Sequence, residues 1–301
     1  MTRSINATKS QGQASITNAD ANTFGKVYLV GAGPGAADLI TVRGAKLLAT
    51  ADVVFHDALV EPEMLALCPQ AKLIAVGKRC GKLSSAQQFI NKRLVDAAQK
   101  YSLVVRLKGG DPMLFGRADE EITALKQAGV EVGVVPGITA ALAGAASLQQ
   151  SLTLRGISRS VAFITLAQAT ENNPHSDESA IQPIANPSAD TLVYYMGRND
   201  AAKIAQQLIM QSATTGGSTP TAIHSSDTPV HILEAVSTSR ERLWSSTLEK
   251  LAAGYADDWF DSKSPALIMI GRALKTSESS SSEIDNGLQD GQVLANSLRR
   301  A

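Results

Sequence analysis

The chain has 301 residues, 44% hydrophobic and 19% charged, with 28 basic and 28 acidic side chains, so it carries a real core and no formal net charge. That length suits two domains of ordinary size. The zero balance argues against a nucleic-acid binder, whose affinity comes largely from neutralising phosphates. No apolar run of the length a membrane span needs is present. Cys68 and Cys80 have neither metal-ligand spacing nor a disulfide framework, which predicts a reducing, cytoplasmic home.

Residues 1–25 are rich in Ser, Asn, Thr, Gln and Ala and lack the apolar centre of a signal peptide, so they read as a disordered tail. Order is predicted from Lys26. Strands are expected at Val27–Val30, Val53–Phe55, Lys72–Val76, Leu103–Leu107 and Val130–Val135. Helices are expected at Leu39–Ala49, Gln87–Gln99 and Glu120–Gln127, the last stopped by Gly129. This alternation implies parallel strands with crossover helices, and a ligand at the carboxyl ends of the strands. After Arg155 the texture changes. Strands are predicted at Val161–Leu166, Thr191–Met196, Thr221–His224, His231–Val236 and Ala266–Ile270, and helices at Ala201–Met210 and Arg242–Ala253, with a polar loop from Gln168 to Asp190. Hairpin character is greater here. A serine-rich tail, read as disordered, occupies 275–301. The expected division is 26–150 and 151–274, two α/β domains.

Five turns follow the strands of the first half: Gly31–Gly35, His56-Asp57, Gly77-Lys78-Arg79, Gly109-Gly110-Asp111-Pro112 and Pro136-Gly137-Ile138-Thr139. On successive parallel strands they line one sheet edge. The first falls short of a full dinucleotide fingerprint: the third glycine comes one residue early, and Pro34 removes a backbone donor. Its glycines mean that backbone approaches either a ligand or another chain segment. Asp57 has the spacing of a ribose acid, but is equally a capping or turn aspartate. Asp111 can cap the next helix, Lys78 and Arg79 can be a solvated pair, and Met196 can be core. His56, His175, His224 and His231 form no zinc pattern, and no nucleophile elbow or Walker lysine is present.

In order, Val-Gly-Ala-Gly-Pro-Gly at 30–35, His-Asp-Ala-Leu-Val at 56–60, Val-Gly-Lys-Arg at 76–79, Val-Arg-Leu-Lys-Gly-Gly-Asp-Pro at 105–112 and Val-Pro-Gly-Ile-Thr-Ala at 135–140 resemble the tetrapyrrole methylases. Within that family the resemblance is to the branch acting on uroporphyrinogen III. It spans 26–274, and Arg-Leu-Lys-Gly-Gly-Asp-Pro followed by Phe115-Gly116-Arg117 is its most diagnostic part. The resemblance implies two α/β domains with the active site in the cleft between them, usually as a homodimer. It implies two methyl transfers from S-adenosylmethionine to pyrrole carbons, giving precorrin-2 and S-adenosylhomocysteine, with no metal, nucleic acid or membrane involved.

Carried over motif by motif, the cofactor contacts are Pro34, Gly109, Gly110, Asp111, Leu114, Thr139, Ala140, Met196, Ala222 and Asp227. Asp57 matches the proton acceptor and Lys78 the proton donor. The opening turn then sits beside S-adenosylmethionine, and Asp57 is a base and no ribose ligand. The substrate carries many carboxylates, for which Arg and Lys are the natural clamps; Lys78, Arg79, Arg106, Lys108, Arg117 and Arg155 are the candidates. The chain departs from the family at Ala118-Asp119, at Leu154-Arg155 and at Thr165-Leu166-Ala167. A sibling methylase of the same fold and a non-catalytic binder of the cofactor or the tetrapyrrole stay open as alternatives.

Overall fold

A computed structural model describes residues 24–76, 83–166, 188–214 and 224–274. Along the first half run β1 (Lys26–Gly31), α1 (Val42–Thr50), β2 (Val53–His56), α2 (Pro62–Leu65), β3 (Lys72–Ala75), α3 (Leu83–Ala98), β4 (Leu103–Lys108), α4 (Ala118–Gln127), β5 (Val132–Val135) and α5 (Ala140–Ser147). The five strands form one sheet in the order β3-β2-β4-β1-β5, and every pair is parallel. Helices cover both faces, so the central strands are apolar on both sides. Val27, Leu29, Val53, Phe55 and Val104 pack under α3 and α4, while Val30, Val54, Val105 and Leu107 pack against Leu48 of α1 and Met64 of α2. Side chains alternate between faces along a strand. Arg106 and Lys108 therefore share the α3/α4 face with Val104, and both are buried there.

The second half comprises β6 (Val161–Thr165), β7 (Thr191–Tyr195), α6 (Ala201–Thr214), β8 (Pro229–Glu234), β9 (Arg242–Thr247), α7 (Leu248–Ala252) and β10 (Ala266–Gly271). The sheet order is β6-β7-β10-β8-β9, with β6 and β7 parallel and the remaining pairs antiparallel. Helix α5 leaves the first sheet and packs on the second: Ala141 and Ala143 are buried with Val193, Leu233, Leu267 and Met269.

Most expected elements are present, within a few residues at their ends. The helix expected over 242–253 is not. Its first half is β9, paired antiparallel with β8 from Arg242↔Glu234 to Thr247↔Pro229, and the helix begins only at Leu248. Ser245, Ser246 and Thr247 are weak helix formers, and burying Trp244 in the second core decides for the strand. Helix α5 is absent from the sequence-based expectations, because its Ala-rich segment has no polar face from which to read a helical period. Of the polar loop expected over 168–190, residues 168–187 lie outside the described residues, as does 221–223 of the strand expected at Thr221–His224.

Candidate active site

Because the first sheet is parallel, the turns after β1, β2, β4 and β5 share one edge. The turn after β3 lies outside the described residues. At this edge three glycines pack backbone on backbone. A Cβ on Gly31 would lie 2.6 Å from the Gly137 Cα, and one on Gly137 would lie 2.3 Å from the Gly110 carbonyl oxygen. Gly33 and Gly110 exchange two backbone hydrogen bonds, at 3.2 and 2.7 Å. Further along, a Cβ on Gly35 would lie 2.5 Å from the Thr238 Cγ2. Of the two partners the sequence allows for the opening turn, Gly31 and Gly35 meet other chain segments. The open space lies instead at Gly110, where an added Cβ meets nothing within 4 Å and φ is +66°. Asp111 ties the turns together: its Oδ2 accepts the Gly137 N–H at 2.8 Å and its Oδ1 the Met113 N–H at 2.8 Å.

The second half closes on the same edge. Tyr195, the last residue of β7, accepts the Ala141 N–H at 3.1 Å and bonds the Thr139 hydroxyl at 2.5 Å. Thr139 begins α5 without making its own side-chain cap. The phenol thus caps the helix from the other sheet, satisfying one of its orphan donors. Burial raises the Tyr195 hydroxyl above its ordinary pKa, which keeps it a neutral donor and acceptor. Its ring meets Phe115, from the turn after β4, edge-on at 5.2 Å. Met196 follows, exposed and at φ +57°, a left-handed backbone that ordinary side chains rarely hold. The loop after β8 completes the junction: Ser237 Oγ accepts the Ala36 N–H at 3.0 Å, and Arg240 pairs with Glu61 at 2.5 Å.

Beside the Gly109-Gly110 turn lies a charge cluster. Arg106 donates to Asp57 Oδ1 at 2.5 Å and through Nε to Glu121 Oε1 at 3.1 Å, and its third nitrogen bonds the Leu107 carbonyl at 3.1 Å. Lys108 Nζ sits 3.1 Å from both Glu121 oxygens, and Gln87 donates to Glu121 at 3.2 Å. Glu121 is fully buried and Arg106 and Lys108 nearly so, whereas the Asp57 side chain keeps 32% exposure. Burial lowers the Lys108 ammonium below its ordinary pKa and Arg106 adds to this, with Glu121 and Asp57 opposing.

The structure therefore brings together Asp57, Gly109, Gly110, Asp111, Thr139 and Ala140, with Met196 following the Tyr195 cap. Pro34 is half-buried in the first turn, and Leu114 follows Asp111, its N–H bonding the Asp111 carbonyl at 3.3 Å. Two expectations change. Arg106 and Lys108 are not offered to a carboxylated ligand; their strand face is covered by α3 and α4, and Glu121 and Asp57 take their donors. Asp227 is not at this edge. It precedes β8, whereas Tyr195 is level with Leu233 near that strand's other end, a separation of about 15–20 Å at the rise of a strand. The loop that does reach the edge from β8 is 235–238. Arg117 is exposed at φ +53° and forks onto Glu120 at 2.6 and 2.9 Å, and Arg155 is exposed in the 154–158 turn. Lys78, Arg79 and Ala222 lie outside the described residues. Glu121, Gln87, Tyr195 and Ser237 join the site without standing out in the sequence. The signal for Glu121 is the pair Arg106/Lys108 on one strand face ahead of an acidic helix start. Among the described residues no cluster of His, Cys, Asp or Glu has the makings of a metal site, and no helix is long and apolar enough to cross a membrane.

The family model for the Tetrapyrrole (Corrin/Porphyrin) Methylases matches residues 26–252. The chain belongs to the tetrapyrrole methylase family. As a tetrapyrrole methylase it is 40% identical over 251 residues to the uroporphyrinogen-III C-methyltransferase of Pseudomonas aeruginosa, covering 83% of this chain and 95% of that one. It is 46% identical over 202 residues to the protein of the same name from Synechocystis sp., covering 66% of this chain and 74% of that one. Among solved structures it is similar to the Thermus thermophilus uroporphyrin-III C-methyl transferase complexed with S-adenyl homocysteine, at 35% identity and a TM-score of 0.65, covering 83% of this chain and 94% of that one. The two-sheet α/β architecture expected of a tetrapyrrole methylase is thus the architecture present.

Proposed function

We propose that this tetrapyrrole methylase transfers two methyl groups from S-adenosylmethionine to pyrrole carbons of uroporphyrinogen III, giving precorrin-2 on the way to sirohaem or cobalamin. The single observation that carries the reading is the half-exposed Asp57 carboxylate, held by Arg106 at the same sheet edge as the open Gly109-Gly110 turn. The relatives of the same name support the substrate, and the S-adenyl homocysteine complex of the Thermus protein supports the methyl donor.

The residues present suit that donor. Gly110 leaves room for a ligand against its backbone, Thr139 and Ala140 offer the start of α5, and Met196 projects at the end of β7. Pro34, Gly109, Asp111 and Leu114 are the remaining donor contacts in this reading. S-adenosylmethionine supplies an electrophilic methyl on a sulfonium, and the electron-rich pyrrole carbon needs no further activation. The main work of the protein is to hold donor and acceptor in line and exclude alternatives. After the carbon–carbon bond forms, the ring must lose a proton, and Asp57 accepts it. Lys78 is the corresponding proton donor in this reading, and Arg79, Arg117 and Arg155 are left as clamps for the substrate carboxylates. The division into units 26–150 and 151–274, cytoplasmic residence and a homodimer belong to the same reading.

Incubation with uroporphyrinogen III and methyl-labelled S-adenosylmethionine tests it. Two labels per product and the mass of a dimethylated tetrapyrrole are expected; no label would overturn it. Asp57→Ala should bind S-adenosylhomocysteine normally and methylate about 100-fold more slowly or worse, the usual worth of a general base.

A further inference from the structure

We propose that Glu121 is a positioning residue, which through Arg106 fixes the carboxylate of Asp57 at the active edge. The proposal rests on reading Asp57 as the proton acceptor.

A fully buried carboxylate is costly unless it is paired and hydrogen-bonded. Glu121 receives Arg106, Lys108 and Gln87, so its charge is answered from β4 and α3 at once. The guanidinium of Arg106 has no freedom left. One nitrogen bonds the Leu107 carbonyl at 3.1 Å, Nε is taken by Glu121, and the remaining nitrogen points at Asp57. A planar fork bolted on two sides presents its third side at a set angle. The four charged groups balance, with Arg106 and Lys108 against Glu121 and Asp57. Three of them are sealed in the protein, and only Asp57 faces outward.

That asymmetry distinguishes the cluster from an ordinary internal ion pair. A pair serving stability alone would gain little over apolar residues of the same volume. Here the buried charges end on one exposed oxygen-bearing group beside an open glycine turn. Arg106 answers both carboxylates through different nitrogens, so the angle at which it meets Asp57 depends on Glu121 staying in place. Lys108 then stands as a second donor to both Glu121 oxygens, anchoring that carboxylate while Arg106 is engaged on both sides.

Glu121→Gln keeps the shape and the hydrogen-bonding reach but removes the charge. Its kcat should fall about 10- to 100-fold, the cost of a misplaced catalytic group, while S-adenosylhomocysteine affinity by calorimetry stays at the wild-type value. The deciding measurement is a double-mutant cycle with Asp57→Asn. If Glu121 acts through Asp57, the double variant is no slower than Asp57→Asn alone. An unchanged kcat in Glu121→Gln, or an equal loss in both backgrounds, would overturn the proposal. Should Glu121→Gln fail to fold, Arg106→Lys replaces it in the cycle: it keeps the buried charge but cannot span both carboxylates, and the same non-additivity with Asp57→Asn is expected. Asp57→Asn turning over at the wild-type rate would overturn the reading of Asp57 itself, and the positioning role with it.

Discussion

The hydroxyl of Tyr195, at the end of a strand in the second sheet, accepts the N–H of Ala141 at 3.1 Å, in the helix that leaves the first sheet. One phenol thereby joins the two halves at the Thr139-Ala140 segment. Tyr195→Phe leaves that N–H and the Thr139 hydroxyl without their partner. A loss of about 1–2 kcal/mol in unfolding free energy is expected, the cost of stranding a partly buried donor. S-adenosylhomocysteine affinity should fall with it. Denaturant titration and calorimetry measure both, and an unchanged affinity would show that the cap does not shape the cofactor segment.

Asp111 holds the turns after β4 and β5 with one carboxylate oxygen each. Asp111→Ala strands the Gly137 and Met113 N–H groups. The expected loss is about 1–3 kcal/mol, together with weaker cofactor binding, because the turns separate. Asp111→Asn keeps one acceptor oxygen and should lie between wild type and Ala in thermal midpoint.

The glycines divide by what surrounds them. An alanine at Gly137 forces its Cβ to 2.3 Å from the Gly110 carbonyl oxygen, and no flexible side chain is there to yield. A loss of about 3–5 kcal/mol, or no folded protein, is expected. Gly110→Ala meets no atom within 4 Å and has only its φ of +66° against it, worth about 1–2 kcal/mol. Its methyl enters the open space, so ligand affinity should collapse in a protein that still melts cooperatively. Equal thermal midpoints for the two variants would contradict this difference in packing.

His224 and His231 are buried, one bonded to the Ala189 carbonyl and the other between Ser245 and the Leu274 carbonyl. Desolvation lowers both below the ordinary value of 6.5. In the folded state they resist protons that the unfolded chain accepts, so stability is full above 6.5 and is lost as the pH falls through and below it. The thermal midpoint should drop between about pH 7 and pH 5, the interval over which an unperturbed histidine takes up its proton. His231→Gln, which cannot titrate, should show a shallower fall over that interval even if its midpoint at neutral pH is lower.

Much of the first half was legible in the sequence, for a local reason. Runs such as Val27–Val30 and Leu103–Val105 are continuously apolar because their sheet is covered on both faces, and each strand leads into a glycine-bearing turn. Parallel pairing then places every such turn on one edge, so Asp57, Gly109, Gly110, Asp111 and Thr139 fall together without any knowledge of contacts. The second half was less legible, since Arg242–Thr247 reads as the start of a helix until its pairing with β8 is known.

Sequence by itself determined the strands of the first half, their shared edge, the family, and the turns that bear the site. Tertiary structure alone decided that Arg106 and Lys108 turn inward to Glu121, that the loop after β8 and not Asp227 meets the first turn, and that Gly31 is pressed on backbone. The reason is physical. Periodicity along a chain states which residues share a face, but whether that face meets water, a ligand or another helix is settled by segments far away in sequence, as when Tyr195 caps a helix 54 residues before it.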